Sequence, residues 1–221
     1  MKKGLTELVY ILDRSGSMAG LELDTIGGYN AFLEKQKSIK GEATITTVLF
    51  DDRIEYLHEG VSLQDADPIS GKDYFVRGTT ALLDAIGQTV TKVKAAQKDL
   101  KKKDRAEKVM FVITTDGMEN ASREYSYDKV KALVEKQKEK HGWEFIFIGA
   151  NIDAIETAGR FGIASDRAVD YHADKVGTKA MYEAINDVTF CIRSSTSTDS
   201  FASCSLDDWK EKIEADNKSR V

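Results

Sequence analysis

The stretch Leu5-Thr6-Glu7-Leu8-Val9-Tyr10-Ile11-Leu12-Asp13-Arg14-Ser15-Gly16-Ser17-Met18 begins as an apolar run and breaks off into side-chain oxygens. A run this short, apolar on both faces, suits a central strand of a sheet covered on both sides. Asp13 ends it, and Gly16 gives the backbone freedom to turn straight into a helix. Further runs of this kind span Ala43 to Phe50, Val109 to Thr115 and Trp143 to Gly149, with a weaker one over Ala168 to Tyr171. Arg53 to Leu57 follows the turn Asp51-Asp52, too short for a crossover helix, so that pair reads as an antiparallel hairpin at one edge.

Between the runs apolar residues recur at helical spacing. One stripe holds Met18, Leu21, Thr25, Tyr29, Phe32 and Leu33; another holds Leu82, Ile86, Val90, Val93 and Leu100. Val130, Leu133, Val134 and Gln137 form a third, and Val176, Ala180, Met181, Ala184, Ile185 and Val188 a fourth. All read as core-facing packing. Gly27-Gly28 inside the first helix weakens it, and a close approach of that helix to the sheet would account for the pair. The alternation of strands and helices indicates an α/β fold, a three-layer α/β/α Rossmann-like sandwich with a mostly parallel six-stranded sheet and one antiparallel edge strand.

The chain has 221 residues, 41% hydrophobic and 31% charged, with a formal net charge of −5. That balance suits a folded domain and argues against disorder. It also argues against a nucleic-acid partner, which would need a basic surface. No apolar run approaches the roughly 18–20 residues of a membrane span, and no membrane partner is expected. Met1-Lys2-Lys3 is followed by too short an apolar segment for a signal peptide. Cys191 and Cys204 form neither a framework nor a CxxC pair, so reduced thiols and a cytoplasmic location are expected. Lysines between Lys98 and Lys108 are interrupted by Asp99, Asp104 and Glu107, and read as a solvated helix end and its loop.

After residue 193 the composition changes. Ser194 to Ser205 is rich in Ser, Thr and small residues and reads as a linker. Ser205-Leu206-Asp207-Asp208 resembles a capping box, and Leu206, Trp209 and Ile213 give the helix after it one apolar face. The division expected is a domain over 1–193 and a tail over 194–221, whose helix packs on the domain or serves a partner.

In an open parallel sheet, ligands bind beyond the C-terminal ends of the strands. Asp13, Ser15 and Ser17 lie there on one loop, Thr79 or Thr80 on a second, and Asp116 on a third, with no Cys or His nearby in sequence. Hard oxygen donors of this kind suit Mg²⁺ or Mn²⁺ rather than Zn²⁺. Asp-x-Ser-x-Ser before a helix is also an N-cap pattern; the two later loops at matching strand ends tilt the reading to a metal. Asp51, Asp52, Glu119 and Asn120 belong on or near the same rim. So do Asn151 and Asp153, candidates for recognising a partner, with Asp153 also placed to cap the helix that starts beside it. His58, His141 and His172 are scattered and read as surface or packing residues.

The three loops together resemble those of the von Willebrand factor type A (VWA) domain family. Asp13-Arg14-Ser15-Gly16-Ser17 matches its D-x-S-x-S loop, Gly78-Thr79-Thr80-Ala81-Leu82 its G-G-T-x-L loop, and Thr115-Asp116-Gly117 its T-D-G loop. The resemblance covers roughly residues 5–190 and implies a metal-ion-dependent adhesion site. In that family's pattern Ser15, Ser17 and Thr80 bind the cation directly, Asp13 and Asp116 act mainly through waters, and one position is left for a partner's Glu or Asp. Thr79 stands where the family has a second Gly, and the register through Ala81-Leu82 puts the ligand on Thr80. The implied function is a metal-dependent protein–protein interaction module, an intracellular adaptor serving an AAA+ ATPase or another complex. The alternative is a Mg²⁺-dependent phosphohydrolase. The haloacid dehalogenase class, which also places an Asp and Mg²⁺ at the end of its first strand, needs a second Asp two residues after the first; this chain has Ser15 there, which cannot transfer protons near neutral pH, and no enzyme activity is expected.

Overall fold

The computed structural model describes residues 1–195 and 208–220. Its single sheet contains β1 (Lys2–Asp13), β2 (Ala43–Phe50), β3 (Ile54–Ser62), β4 (Ala106–Thr115), β5 (Glu144–Gly149) and β6 (Ala168–Asp170). The strand order is β3-β2-β1-β4-β5-β6. All neighbours run parallel except β2 and β3, the expected hairpin at one edge. Helices α1 (Glu22–Lys37), α2 (Leu82–Asp99), α3 (Tyr127–His141), α4 (Ala154–Arg160), α5 (Lys175–Ser194) and α6 (Glu211–Lys218) complete the three layers. Met18, read as the start of the first helical stripe, sits instead in a short 3₁₀ turn before α1.

The central strand shows why its sequence is apolar throughout. Side chains alternate faces along a strand. Leu8, Tyr10 and Leu12 enter one core with Tyr29 and Phe32 of α1, Met181 and Ile185 of α5 and Ile213 of α6. Val9 and Ile11 enter the other, with Leu82 and Ile86 of α2, Val130 of α3 and Ala154 of α4. Register then levels the strand ends: Asp13 lies opposite Phe50, and Leu12 opposite Thr114. Parallel strands that end together bring the following loops to one face.

Gly28 marks a close approach, but to a helix rather than the sheet. A Cβ there would lie 2.1 Å from Cδ2 of Tyr182 on α5, while one on Gly27 would meet nothing within 4 Å. The sheet's helices already cover it; what needs room is the α1–α5 contact across that layer.

The C-terminal helix folds back on the domain. Trp209 and Ile213 are buried, the Trp209 indole N–H donates to Asp166 O (3.2 Å), and Asn217 Nδ2 donates to Asp170 O (2.7 Å). α6 thereby covers β6, an edge strand of three residues. Ser205, Leu206 and Asp207 of the capping box and most of the Ser/Thr-rich stretch lie outside the described residues. The reduced-thiol reading needs correction: Cys191 on α5 is disulfide-bonded. Two cysteines with no short spacing gave no sequence signal for that bond. Among the described residues no helix is long and apolar enough to cross a membrane.

The glycine pair should separate in stability. Gly27→Ala should stabilise the fold by about 0.5–1 kcal/mol, the helix-propensity gain. Gly28→Ala should destabilise it by about 1–3 kcal/mol, because the Tyr182 ring must shift. Urea unfolding of the two variants checks both signs.

Candidate metal centre

Each loop is aimed by backbone bonds to another. Arg14 N donates to Phe50 O (2.8 Å), continuing the β1–β2 ladder into the turn. Gly16 N donates to Gly78 O (3.1 Å) and Arg77 N to Arg14 O (2.9 Å), which pins the segment before α2 against the first loop. Ala81 N donates to Asp51 O (2.8 Å), so the β2–β3 turn holds the same segment from the other side.

Asp13 lies at the bottom. Its Oδ1 accepts from Ser15 N (2.7 Å) and its Oδ2 from the Thr115 hydroxyl (2.5 Å), while the Tyr74 hydroxyl donates to its carbonyl (2.5 Å). Burial pushes its carboxyl up to about 6; the bonds from Thr115 and Ser15 pull it down and the nearby Asp116 pushes it up. Above it the Ser15 and Ser17 hydroxyls are 3.1 Å apart, and Ser17 donates to Asp116 Oδ1 (2.5 Å). Burial likewise raises the Asp116 carboxyl, against the Ser17 bond. Gly117 completes the cluster. A Cβ there would sit 3.1 Å from Ser17 Oγ and 3.5 Å from Thr80 Oγ1, so both hydroxyls face Gly117. Thr80 is buried, whereas Thr79 is exposed and lines a separate groove with Asp52 and Asn120.

Five residues from three loops, Asp13, Ser15, Ser17, Thr80 and Asp116, are thus brought together. The donors are hydroxyls and carboxylates. Such oxygen donors suit a hard, oxygen-seeking ion. Asp116 Oδ2 is buried and has no hydrogen-bond partner. A buried carboxylate oxygen left this way is costly unless something positive or hydrated meets it. The residues therefore fit a divalent cation.

The other rim residues have structural duties. Asp51 is fully buried and ion-pairs with Arg14 and Arg77. Glu119 Oε2 accepts from Leu83 N (2.9 Å) at the start of α2 and from the Ser122 hydroxyl (2.8 Å). Asn120 Oδ1 accepts from Thr80 N (2.9 Å), fixing the backbone that carries the Thr80 hydroxyl. Asp153 Oδ1 accepts from Glu156 N (2.8 Å) and caps α4. Asn151 is exposed at φ +57°, and its Nδ2 donates to Asp116 O (3.3 Å). Sequence reading missed one contributor. Asp84 accepts from Arg123, Glu124 and Tyr125 N–H groups and straps the third loop to α2; its helical position carried no signal for that. His172 is exposed, in line with its reading as a surface residue, and lines a groove with Ser17 and Asn151.

No family model matches the sequence, and no curated protein matches it either. Solved structures do. Proximal thread matrix protein 1 from the mussel byssus superposes with TM-score 0.57 at 13% identity, over 85% of this chain and 47% of that one. A second structure of that protein, with a zinc-occupied MIDAS motif, gives 0.56 at 15% identity over 85% and 46%. The PilB minor pilin from Streptococcus sanguinis gives 0.57 at 10% over 90% and 63%. A von Willebrand factor type A protein from Catenulispora acidiphila gives 0.56 at 11% over 84% and 42%. The chain spans about half the length of the mussel and Catenulispora structures. At these identities the likeness establishes the fold, and that fold is the VWA fold.

Asp13→Asn tests the electrostatics. A carboxyl raised to about 6 contributes stability fully present below its unfolded value near 3.8 and lost as pH rises through about 6. At pH 7.5 in EDTA the Asn variant should therefore be more stable than wild type, by up to about 3 kcal/mol. The gap should shrink as pH falls through about 6. Thermal melts across that range check it.

Proposed function

We propose that the chain is a metal-dependent protein-interaction module. It would hold Mg²⁺ or Mn²⁺ through the hydroxyls of Ser15, Ser17 and Thr80, with Asp13 and Asp116 acting through bound waters. The observation that carries this is the gathering of those hydroxyls beside a buried Asp116 oxygen that no protein group satisfies. Neutral oxygens on the ion and carboxylates one water away leave it electrophilic. A partner's Glu or Asp then gains a charge–charge contact that water cannot match.

The surroundings support docking. Exposed large apolar side chains ring this face: Met118 two residues after Asp116, and Leu23, Ile155 and Val176 in the first turns of α1, α4 and α5. Apolar side chains clustered about one polar point are what interfaces present. A groove beside Ser17, lined by Gly20, Asp24, Asn151 and His172, could seat the segment that carries the carboxylate. Asn151 is the better placed of the two proposed partner contacts, since Asp153 is committed to its helix cap. Binding is favoured over phosphoester hydrolysis because Ser15, not a carboxylate, stands two residues beyond Asp13. The zinc-occupied site of the mussel protein is a precedent for a metal on this fold.

Two outcomes are expected. At metal concentrations about 100 times Kd, Mg²⁺ or Mn²⁺ should stabilise wild type by about 2.7 kcal/mol and leave Asp116→Ala and Thr80→Ala nearly unshifted, read by thermal melts. Affinity capture from the native host with Mg²⁺ should retain a partner that EDTA releases and that Ser15→Ala captures poorly. A partner held equally in EDTA and by Asp13→Asn sinks the proposal.

A further inference from the structure

At the opposite pole, where the strands begin, a cavity of about 450 Å³ opens between the C-terminal ends of α2 and α3. That size lies within the range of small-molecule sites, about 300–1,000 Å³. Its apolar part is Ala106, Val109 and Trp143, with the Trp143 ring stacked on Phe111 at 5.5 Å. Its rim carries Lys94, Lys98, Lys102, Arg105 and Lys140.

Lysines at helix C-termini are ordinary, because they complement the dipole. The magnitudes decide against that as the whole account. Two helix ends supply about one negative elementary charge together, and Glu107 supplies one more, its Oε2 already accepting from Gly4 N (2.6 Å). Against these stand five cations. Arg105 is spent on the carbonyls of Lys98 (2.7 Å), in the last turn of α2, and Leu100 (3.0 Å), just beyond it. Lys94, Lys98, Lys102 and Lys140 take part in no ion pair among the described residues. In a chain of net charge −5 this pole is a local surplus of positive charge.

A second observation is independent of charge. Gln137 lines the same cavity, is fully buried, and neither its Oε1 nor its Nε2 has a hydrogen-bond partner. An apolar residue at this point of the α3 stripe would avoid that penalty. A buried amide without partners at the cavity wall calls for an explanation, and a ligand that meets it is one.

We propose that this cavity binds a small amphiphilic anion, an apolar or aromatic body bearing a phosphate or carboxylate. The body packs over Trp143 and Val109, the Gln137 amide meets a polar edge, and Lys98, Lys102 and Lys140 take the charge. The site is independent of the metal centre.

The test is calorimetric titration of the full chain with 1-naphthyl phosphate, with 1-naphthol and inorganic phosphate as controls. Saturable binding of one equivalent is expected, about tenfold or more tighter than either control. The Lys98→Gln/Lys140→Gln protein should lose about tenfold or more in affinity at low salt while melting only slightly lower, since each lysine complements the dipole at its helix end. Gln137→Leu should melt higher and bind more weakly, and Asp13→Asn should bind as wild type does. Absence of saturable binding, equal affinity in the double lysine variant, or tighter binding of a single-stranded oligonucleotide than of 1-naphthyl phosphate overturns the proposal. The last result would make the pole a nucleic-acid surface.

Discussion

Arg14 carries a full charge to a place that water does not reach, and the hydroxyl-bearing face is built around its neutralisation. Its guanidinium lies 3.4 Å from Asp51 Oδ2 and 2.6 Å from Glu55 Oε2, and donates to Asp73 O at 3.3 Å. Arg77 shares Asp51, and Phe75 lies over both guanidiniums. Such a network adds little net stability, because desolvation offsets the attraction. Breaking it is another matter: an orphaned buried charge costs about 3–5 kcal/mol. The network therefore acts as a positioning device. It ties the first loop, the β2–β3 turn and the segment before α2 to one another, and those segments carry Ser15, Ser17 and Thr80.

The third loop is held by a different chemistry. Glu119, Asn120 and Asp84 accept from backbone N–H groups on both sides of the gap between that loop and α2. Carboxylates satisfied by several N–H groups are rigid, so Asp116 and Gly117 are presented on a stiff hairpin of polar contacts. Charge on one side and amide bonds on the other leave Asp116 Oδ2 as the atom at the centre with no partner.

The two poles of the sheet differ in sign. The strand C-termini gather Asp13, Asp116 and exposed apolar side chains; the strand N-termini gather lysines around Trp143. A single central strand, β1, links them. It begins beside the cavity lined by Met1 and ends in Asp13, so one rigid element fixes both.

The alternation of strands and helices, the edge hairpin and the five gathered residues were legible because each leaves a local mark. Apolar runs of strand length, helical stripes and D-x-S-x-S are patterns within a few residues, and parallel strands must deliver their loops to one face. Asp153 as a helix cap was legible for the same reason. Other features needed the third dimension. Arg14 occupies an unspecified position of its motif, and only the packing of Asp51, Glu55 and Phe75 around it makes it the buried charge. Gly28 signals a close approach without naming Tyr182 as what approaches. Gln137 sits on a helical stripe and looks like core, and its unsatisfied amide appears only when the α3 end is placed against Trp143. The Cys191 disulfide left no spacing signal. Sequence determines what is periodic or adjacent along the chain; which charges become buried, and which polar groups are left without partners, depends on contacts between residues far apart in sequence, and only the folded structure decides those.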